Sequence, residues 1–179
     1  MVVAISPWAT SLDNHIIMQP DTITSTGLPK ALFTGTFDPF TIGHADIVAR
    51  ALNLFSHLTI AVAVSQLKHT EAEIADRVHA IEQLYQDEPR VTIKAYSDLT
   101  VDMAHREGAQ FIVRGVRDVK DYEYERQQAD INRQLGGVET ILLFTRPELQ
   151  SVSSTLVREL RHFGRDVSAF LPTPPQTQP

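Results

Sequence analysis

The sequence contains no cysteine among its 179 residues. Disulfides, thiolate nucleophiles and cysteine-ligated zinc sites are therefore excluded, and this is compatible with a reducing compartment. No apolar run approaches the ~20 residues that a membrane-spanning helix needs. No lysine or arginine occurs before residue 30, so a secretory signal with a positive start is not indicated. From these absences we expect a cytoplasmic protein without a membrane partner.

Positive charge is scarce, with 16 Lys and Arg against 22 Asp and Glu and a net charge of -6. Proteins that bind nucleic acids usually present a basic face, so we expect no nucleic-acid partner. The chain also lacks both the G-x-x-x-x-G-K-[ST] loop of P-loop kinases and the G-x-G-x-x-G fingerprint of dinucleotide oxidoreductases. No compact cluster of His, Asp and Glu indicates a metal held by the protein.

The two ends of the chain differ from its middle. Residues 1–29 hold three prolines and no sustained helical or strand period, which predicts a poorly ordered extension, with Met18 as an alternative start. Residues 173–179 are rich in proline and predict a tail. We expect one domain over residues 30–172.

Within that domain, strand and helix patterns alternate five times. This alternation predicts a doubly wound, Rossmann-like α/β fold, with a five-stranded parallel sheet and helices on both faces. The predicted strands are Ala31–Phe33, Leu58–Val64, Val91–Ala95, Phe111–Val113 and Thr140–Phe144. The predicted helices are Gly43–Phe55, Glu71–Gln86, Thr100–Glu107, Asp121–Leu135 and Ser154–Phe163.

Four unusual polar segments follow predicted strands. They are GTFDPFTIGH (Gly35–His44), SQLKH (Ser65–His69), RGVRD (Arg114–Asp118) and RPELQSVSST (Arg146–Thr155). Ligands of open α/β sheets bind beyond the carboxyl ends of the strands, where these segments would meet. The sequence therefore predicts a ligand site at this edge.

The first of these segments has features of an anion site. Thr36 places a hydroxyl at a strand end, and Thr41 can cap the next helix while its first N–H groups face outward. His44 lies in the first turn of that helix, and Gly43 beside it lets a ligand approach closely. We expect a phosphate near His44.

The other segments allow two interpretations. The guanidinium groups of Arg114 and Arg117 suit phosphate oxygens, but they could equally form ion pairs with Asp118 or Asp121. The hydroxyls of residues 153–155 suit either a phosphate at a helix start or simple capping.

The motif Thr41-Ile42-Gly43-His44 resembles the (H/T)-x-G-H motif of the nucleotidylyltransferases. By itself it leaves branches acting on pantetheine, nicotinamide and glycerol phosphates open. The later segments FIVRGVRDVKDYEYERQQADINRQL, SVSSTLVREL and GRDVSAFLP are similar, in order and spacing, to those of bacterial phosphopantetheine adenylyltransferases. This resemblance covers Lys30 to Pro172.

The resemblance implies transfer of the adenylyl group of ATP to 4′-phosphopantetheine by direct in-line displacement, giving dephospho-coenzyme A and pyrophosphate. It implies Mg²⁺ as cofactor, a homohexamer and feedback inhibition by coenzyme A. The residues implied in catalysis are His44, as a stabiliser of the transition state, with Thr36 and Lys68. Those implied in binding the acceptor are Thr36, Lys68, Thr100 and Arg114. Those implied in binding ATP are Thr36, Phe37, His44, Gly115, Val116, Arg117, Glu125, Leu149, Gln150, Ser151, Val152, Ser153, Ser154 and Thr155.

Two alternatives stay open at this point. One is another small-molecule nucleotidylyltransferase, acting on nicotinamide mononucleotide or a sugar-alcohol phosphate. The other is a catalytically inactive nucleotide-binding module, suggested by His69, Glu71 and Leu149, where the family usually carries other residues.

Overall fold

A computed structural model describes residues 27–64 and 70–174 of the chain. Five parallel strands form one sheet in the order β3-β2-β1-β4-β5. The strands are β1 Lys30–Gly35, β2 His57–Ala63, β3 Val91–Tyr96, β4 Phe111–Val116 and β5 Glu139–Phe144. The helices are α1 Ile42–Ala51, α2 Glu71–Tyr85, α3 Thr100–Glu107, α4 Val119–Gly136 and α5 Ser154–His162, with short 3-10 turns at Pro147–Leu149 and Ser168–Phe170. The doubly wound parallel sheet is confirmed.

The sheet is covered on both faces, as the apolar runs of its strands predict. Successive side chains of a strand point to opposite faces, so Phe33 of β1 packs in a cluster with Val48 of α1 and Ile81 of α2. The neighbouring Leu32 packs on the other face against Met103 of α3. The alternating side chains of one strand therefore contribute to an apolar layer on each face of the sheet.

The strand order places β1 beside β4 in the middle of the sheet. The chain winds outward through β2 and β3, then returns to add β4 and β5 on the other side. Such a reversal opens a crevice beyond the carboxyl ends of the two central strands. The polar segments after β1 and β4 lie at this crevice.

The predicted end of β4 at Val113 is wrong. The strand continues to Val116, with Arg114 opposite Leu142 and Gly115 opposite Leu143 of β5. Strands pair through backbone hydrogen bonds, so a strand can include a charged side chain if that charge is neutralised by an ion pair. Arg114 has such a partner, described below, so it lies within the strand and not after it.

Two helix boundaries differ from their predictions by two or more residues, and four others differ by one residue. α4 begins at Val119 rather than Asp121, because the Asp118 side chain caps it by accepting from the Asp121 backbone N–H at 2.8 Å. α1 ends at Ala51 rather than Phe55. The N–H groups of residues 53 and 54 bond to carbonyls three residues back, a tighter turn that ends α-helical geometry.

Several predictions lie outside the described residues. These are the order of residues 1–26 in the predicted extension, the last five residues of the tail, and the positions of Lys68 and His69. Within the two described ranges, no helix combines the length and apolar character needed to cross a bilayer.

Candidate active site

A cavity of ≈ 270 Å³, called here the first cavity, opens beyond the carboxyl ends of β1 and β4. Its wall combines the loop after β1, the start of α1, the end of β4, the first turns of α4 and the start of α5. The predicted site residues that line it are Thr36, Phe37, His44, Arg114, Gly115, Arg117, Glu125, Val152, Ser153, Ser154 and Thr155. Folding thus brings most of the predicted nucleotide contacts together.

His44 is fixed in one orientation and one protonation state. Its Nδ1 accepts a hydrogen bond from the Thr41 backbone N–H at 3.0 Å, so the ring proton belongs on Nε2. Burial, with smaller contributions from Arg117 and Arg114, lowers the pKa of His44 from 6.5 to about 4. At neutral pH the ring is therefore uncharged and offers one N–H donor.

Aromatic rings support the imidazole of His44. The Phe37 ring lies 5.1 Å from it, edge to face, and the Phe40 ring lies 5.3 Å away, measured between centroids. Phe37 is only 3% exposed. Its side chain is therefore a support for His44, and a ligand in the cavity can meet this residue through its backbone.

Arg114 forms the wall between the first cavity and its neighbour. Its Nε and Nη2 donate to the two carboxylate oxygens of Glu125 at 2.7 and 2.6 Å, and its Nη1 donates to the carbonyl and hydroxyl of Thr34. Burial opposes the charge of Arg114, but the ion pair with Glu125 outweighs this and raises the pKa of the guanidinium. Arg114 therefore combines the two interpretations left open by the sequence. It forms an ion pair, with Glu125 rather than with Asp118 or Asp121, and its side chain also lines the cavity.

Arg117 is held in a similar way. Its Nε and Nη2 donate to the carboxylate of Asp121 at 2.8 and 3.2 Å, one of the two ion pairs that the sequence left open. This pairing raises the pKa of Arg117 against the effect of partial burial. The guanidinium is thereby aimed along the cavity wall.

The start of α5 closes the opposite side of the first cavity. The Ser153 hydroxyl caps the helix by accepting from the Leu156 N–H at 3.1 Å, and the Ser154 hydroxyl donates to the Pro39 carbonyl at 2.8 Å. Both hydroxyls have structural partners, which leaves the first helical amides and the helix dipole as the features suited to an anion.

A second cavity of ≈ 310 Å³ adjoins the first. Its lining includes Thr36, Thr100 and Arg114, three of the four residues predicted to bind the acceptor; the fourth, Lys68, lies outside the described residues. The remaining lining residues are Thr34, Gly35, Ala63, Tyr96, Tyr124, Gln128 and Asn132. The two cavities share Thr34, Gly35, Thr36 and Arg114.

Some predicted residues do not line either cavity in the described part of the chain. These are Val116, Leu149, Gln150 and Ser151. Val116 is 1% exposed and belongs to the core, and the other three lie in and just after the 3-10 turn.

One face of α4 contributes more than the sequence prediction included. Asp121 lines the first cavity, and Tyr124, Gln128 and Asn132 line the second. Their spacing of three to four residues, shared with Glu125, places them on one side of a helix. A polar stripe with this period, directly after RGVRD, was the signal that could have identified them.

No group of three or more metal-ligating side chains occurs among residues 27–64 and 70–174. The carboxylates of Asp121 and Glu125 line the first cavity, but both are engaged by arginines. These residues do not fit a metal held by the protein alone.

Comparison with known proteins finds similar sequences over most of the chain. The family model described as "Cytidylyltransferase-like" matches residues 32–160. The chain is 55% identical over 143 residues to a phosphopantetheine adenylyltransferase of Phocaeicola vulgatus, covering 80% of this chain and 95% of that protein. A phosphopantetheine adenylyltransferase of Bacteroides fragilis is 52% identical over 143 residues, which again cover 80% of this chain and 95% of that protein.

A solved structure shares the fold at much lower identity. It is a bifunctional NMN adenylyltransferase/ADP ribose pyrophosphatase from Francisella tularensis, with a TM-score of 0.59 and 19% identity. The match covers 80% of this chain and 45% of that one, and at this identity it bears on the fold alone.

Proposed function

The chain belongs to the phosphopantetheine adenylyltransferases, and we propose that it transfers the adenylyl group of ATP to 4′-phosphopantetheine, giving dephospho-coenzyme A and pyrophosphate. The observation that carries this proposal is the shared wall of the two cavities at Thr36 and Arg114. A nucleotide in the first cavity and a phosphorylated acceptor in the second would meet there. Group transfer needs such a meeting of two bound reactants.

The reaction is a direct in-line displacement at the α-phosphorus of ATP. A phosphate oxygen of the acceptor forms the new bond to phosphorus, and the bond to the bridging oxygen between the α- and β-phosphates breaks. Pyrophosphate leaves with the electron pair. Because the acceptor phosphate is already anionic at neutral pH, the step needs no general base, and catalysis rests on positioning and charge stabilisation.

The side chains divide this work by location. The Nε2–H of His44 donates to an oxygen of the α-phosphate as charge develops there. Arg117 and the start of α5 take the β- and γ-phosphates. Arg114 and Thr36, at the shared wall, aim the incoming phosphate, and Lys68 stays a predicted participant on the acceptor side.

We propose that Mg²⁺ would enter with ATP and would supply positive charge to the leaving pyrophosphate. This assignment follows from the arginine-engaged carboxylates of the first cavity, which offer no site for the ion alone.

The test is acceptor-dependent release of pyrophosphate from ATP. 4′-Phosphopantetheine should support release, whereas nicotinamide mononucleotide and glycerol 3-phosphate should not, and CTP should not replace ATP. Release with one of the other acceptors would instead favour a different nucleotidylyltransferase. ATP binding by calorimetry, with no product from any acceptor, would favour the inactive module.

The same proposal extends to assembly and regulation. Tyr124, Ile131 and Leu135 of α4 are 57%, 46% and 62% exposed and lie on one side of the helix, an apolar stripe suited to self-association. We propose a homohexamer in the cytoplasm, inhibited by coenzyme A, which carries the pantetheine arm of the acceptor. Light scattering of the purified protein tests the assembly, and inhibition by added coenzyme A tests the regulation.

A further inference from the structure

The loop between β1 and α1 is tied to two helices by contacts that the roles above do not use. The Asp38 carboxylate lies 3.5 Å from Nη2 of Arg77 on α2 and 3.8 Å from Nη1 of Arg158 on α5. Arg77 also donates to the Thr36 carbonyl at 3.4 Å. We propose that Asp38 is a positioning residue which, through Arg77 and Arg158, holds Thr36 at the junction of the two cavities. We call these three residues the Asp38 clamp.

The loop has a conformation that needs support. Phe37 has a φ of 47°, in the left-handed region that costs free energy for any residue with a side chain. A Cβ at Gly35 would lie 2.8 Å from the Phe37 ring, so the chain turns back on itself within two residues. Such a conformation persists when its surroundings determine it.

The clamp supplies that support on both sides of Phe37. Thr36 before it is held by Arg77, and Asp38 after it by both arginines, since Arg158 donates to the Asp38 carbonyl as well. The Arg77 side chain is 11% exposed, against 46% for Arg158. Charges that are less exposed are screened less by salt and water. We therefore expect the interaction of Asp38 with Arg77 to be stronger than its interaction with Arg158.

The clamp also links the loop to the nucleotide side of the site. Arg158 donates to the Thr155 hydroxyl at 3.2 Å, and Thr155 lines the first cavity at the start of α5. Thr36 lines both cavities. A shift of Asp38 would therefore change the alignment of the α5 start relative to Thr36, and with it the alignment of the two reactants.

This inference rests on the proposed adenylyl transfer, and the main variant is Asp38→Asn, which keeps the size of the side chain and removes its charge. Because misplacement by about 1 Å can cost ~100-fold in rate, we expect kcat to fall about 10- to 100-fold. KM for ATP and for 4′-phosphopantetheine should change far less, since the loss is one of alignment. Arg77→Gln should have a similar effect, and Arg77→Lys should restore part of the rate.

A double-variant cycle tests whether the residues act together. If Arg77 works through Asp38, the loss in Asp38→Asn/Arg77→Gln should be smaller than the product of the two single losses. The matched control is Glu88→Gln. This variant removes the ion pair between Glu88 and Arg90, which are 2.7 Å apart just before β3, at the amino ends of the strands and away from the site. It should leave kcat unchanged.

A second measurement does not depend on activity. Hydrogen exchange of the amides from Thr36 to Phe40, omitting Pro39, should accelerate in Asp38→Asn and not in Glu88→Gln. Wild-type kcat in Asp38→Asn, or unchanged exchange in the loop, would overturn the inference. If the wild-type protein released no pyrophosphate, the proposed reaction would fail, and the exchange result alone would decide whether Asp38 holds the loop. If Asp38→Asn did not fold, Arg77→Gln against Arg77→Lys would make the same comparison.

Discussion

The two cavities share a wall but differ in how their side chains are held. In the first cavity, Arg114 and Arg117 each have a carboxylate partner, and His44 is bonded to the Thr41 backbone. Apart from the shared Arg114, the described lining of the second cavity is uncharged. Charged, fixed groups therefore lie where we place the polyphosphate, and neutral hydrogen-bonding groups where we place the acceptor.

This difference fits what each ligand requires. Stabilising charge in a transition state needs donors that are already oriented, because reorganising them during the reaction costs free energy. Selecting an acceptor needs shape and a few hydrogen bonds. Removing a residue from the first cavity should thus harm stability or turnover, whereas removing one from the second should mainly weaken binding of the acceptor.

The largest effect is expected at the ion pair in the shared wall. Glu125→Ala would leave the guanidinium of Arg114, whose side chain is only 24% exposed, without its carboxylate partner. Breaking a buried ion pair in this way typically lowers the free energy of unfolding by ~3–5 kcal/mol. Glu125→Gln should lower the free energy of unfolding by less, since the amide oxygen of glutamine can still accept a hydrogen bond from the guanidinium of Arg114. Urea unfolding of both variants measures this; an alanine variant as stable as wild type would contradict the view that the wall is preorganised.

Next is the donor at the reacting phosphate. His44→Ala should leave the fold intact and lower kcat ~10²–10³-fold, or about 2.7–4 kcal/mol in the barrier, because the Nε2–H donor is lost. His79→Ala, at a side chain 71% exposed on α2, is the control and should keep wild-type turnover. Steady-state pyrophosphate release decides this, and near-normal kcat in His44→Ala would remove His44 from its role.

A slightly smaller effect concerns pH. Below pH 6.5 the unfolded chain protonates His44, whereas the folded protein resists protonation until about pH 4. Stability should therefore fall as the pH drops through this window, by roughly 3 kcal/mol at pH 4. His44→Phe should lack this component, so urea unfolding at pH 7 and pH 4 should show a weaker pH dependence in the variant. Equal pH dependence in both proteins would contradict the lowered pKa.

The smallest effect should arise in the second cavity. Asn132→Ala removes one neutral hydrogen-bonding group, worth about 1 kcal/mol, so KM for 4′-phosphopantetheine should rise about five-fold. KM for ATP should stay unchanged. Gln127→Ala, an exposed residue of the same helix, is the matched control. A rise in KM for ATP instead would mean that the two cavities do not divide the substrates in this way.

The prediction from sequence succeeded where local rules apply. The hydroxyls and arginines at or just beyond the carboxyl ends of β1, β4 and β5 had to meet at one edge, because all strands of a parallel sheet end on the same side. The bounds of α3 were predicted residue for residue, since its terminal Gly108, with a φ of 64°, ends the helix in the left-handed conformation that glycine favours.

Such local rules could not predict which side chains from distant segments of the chain contact each other. The pairing of Arg114 with Glu125, rather than with Asp118 or Asp121, depends on β4 running three residues further than its apolar pattern indicated. The Asp38 clamp joins positions 38, 77 and 158, and no local pattern specifies that they meet.

The sequence by itself determined the class of fold, the edge of the sheet that binds ligands and the residue types that gather there. Hydrophobic period and strand-end chemistry are properties of short segments, and they act before the chain is packed. Only the tertiary structure decided that β1 and β4 are neighbours, that two cavities meet at Thr36 and Arg114, and which carboxylate neutralises each arginine. These depend on strand order and on packing across the sheet, which alternating strands and helices leave open.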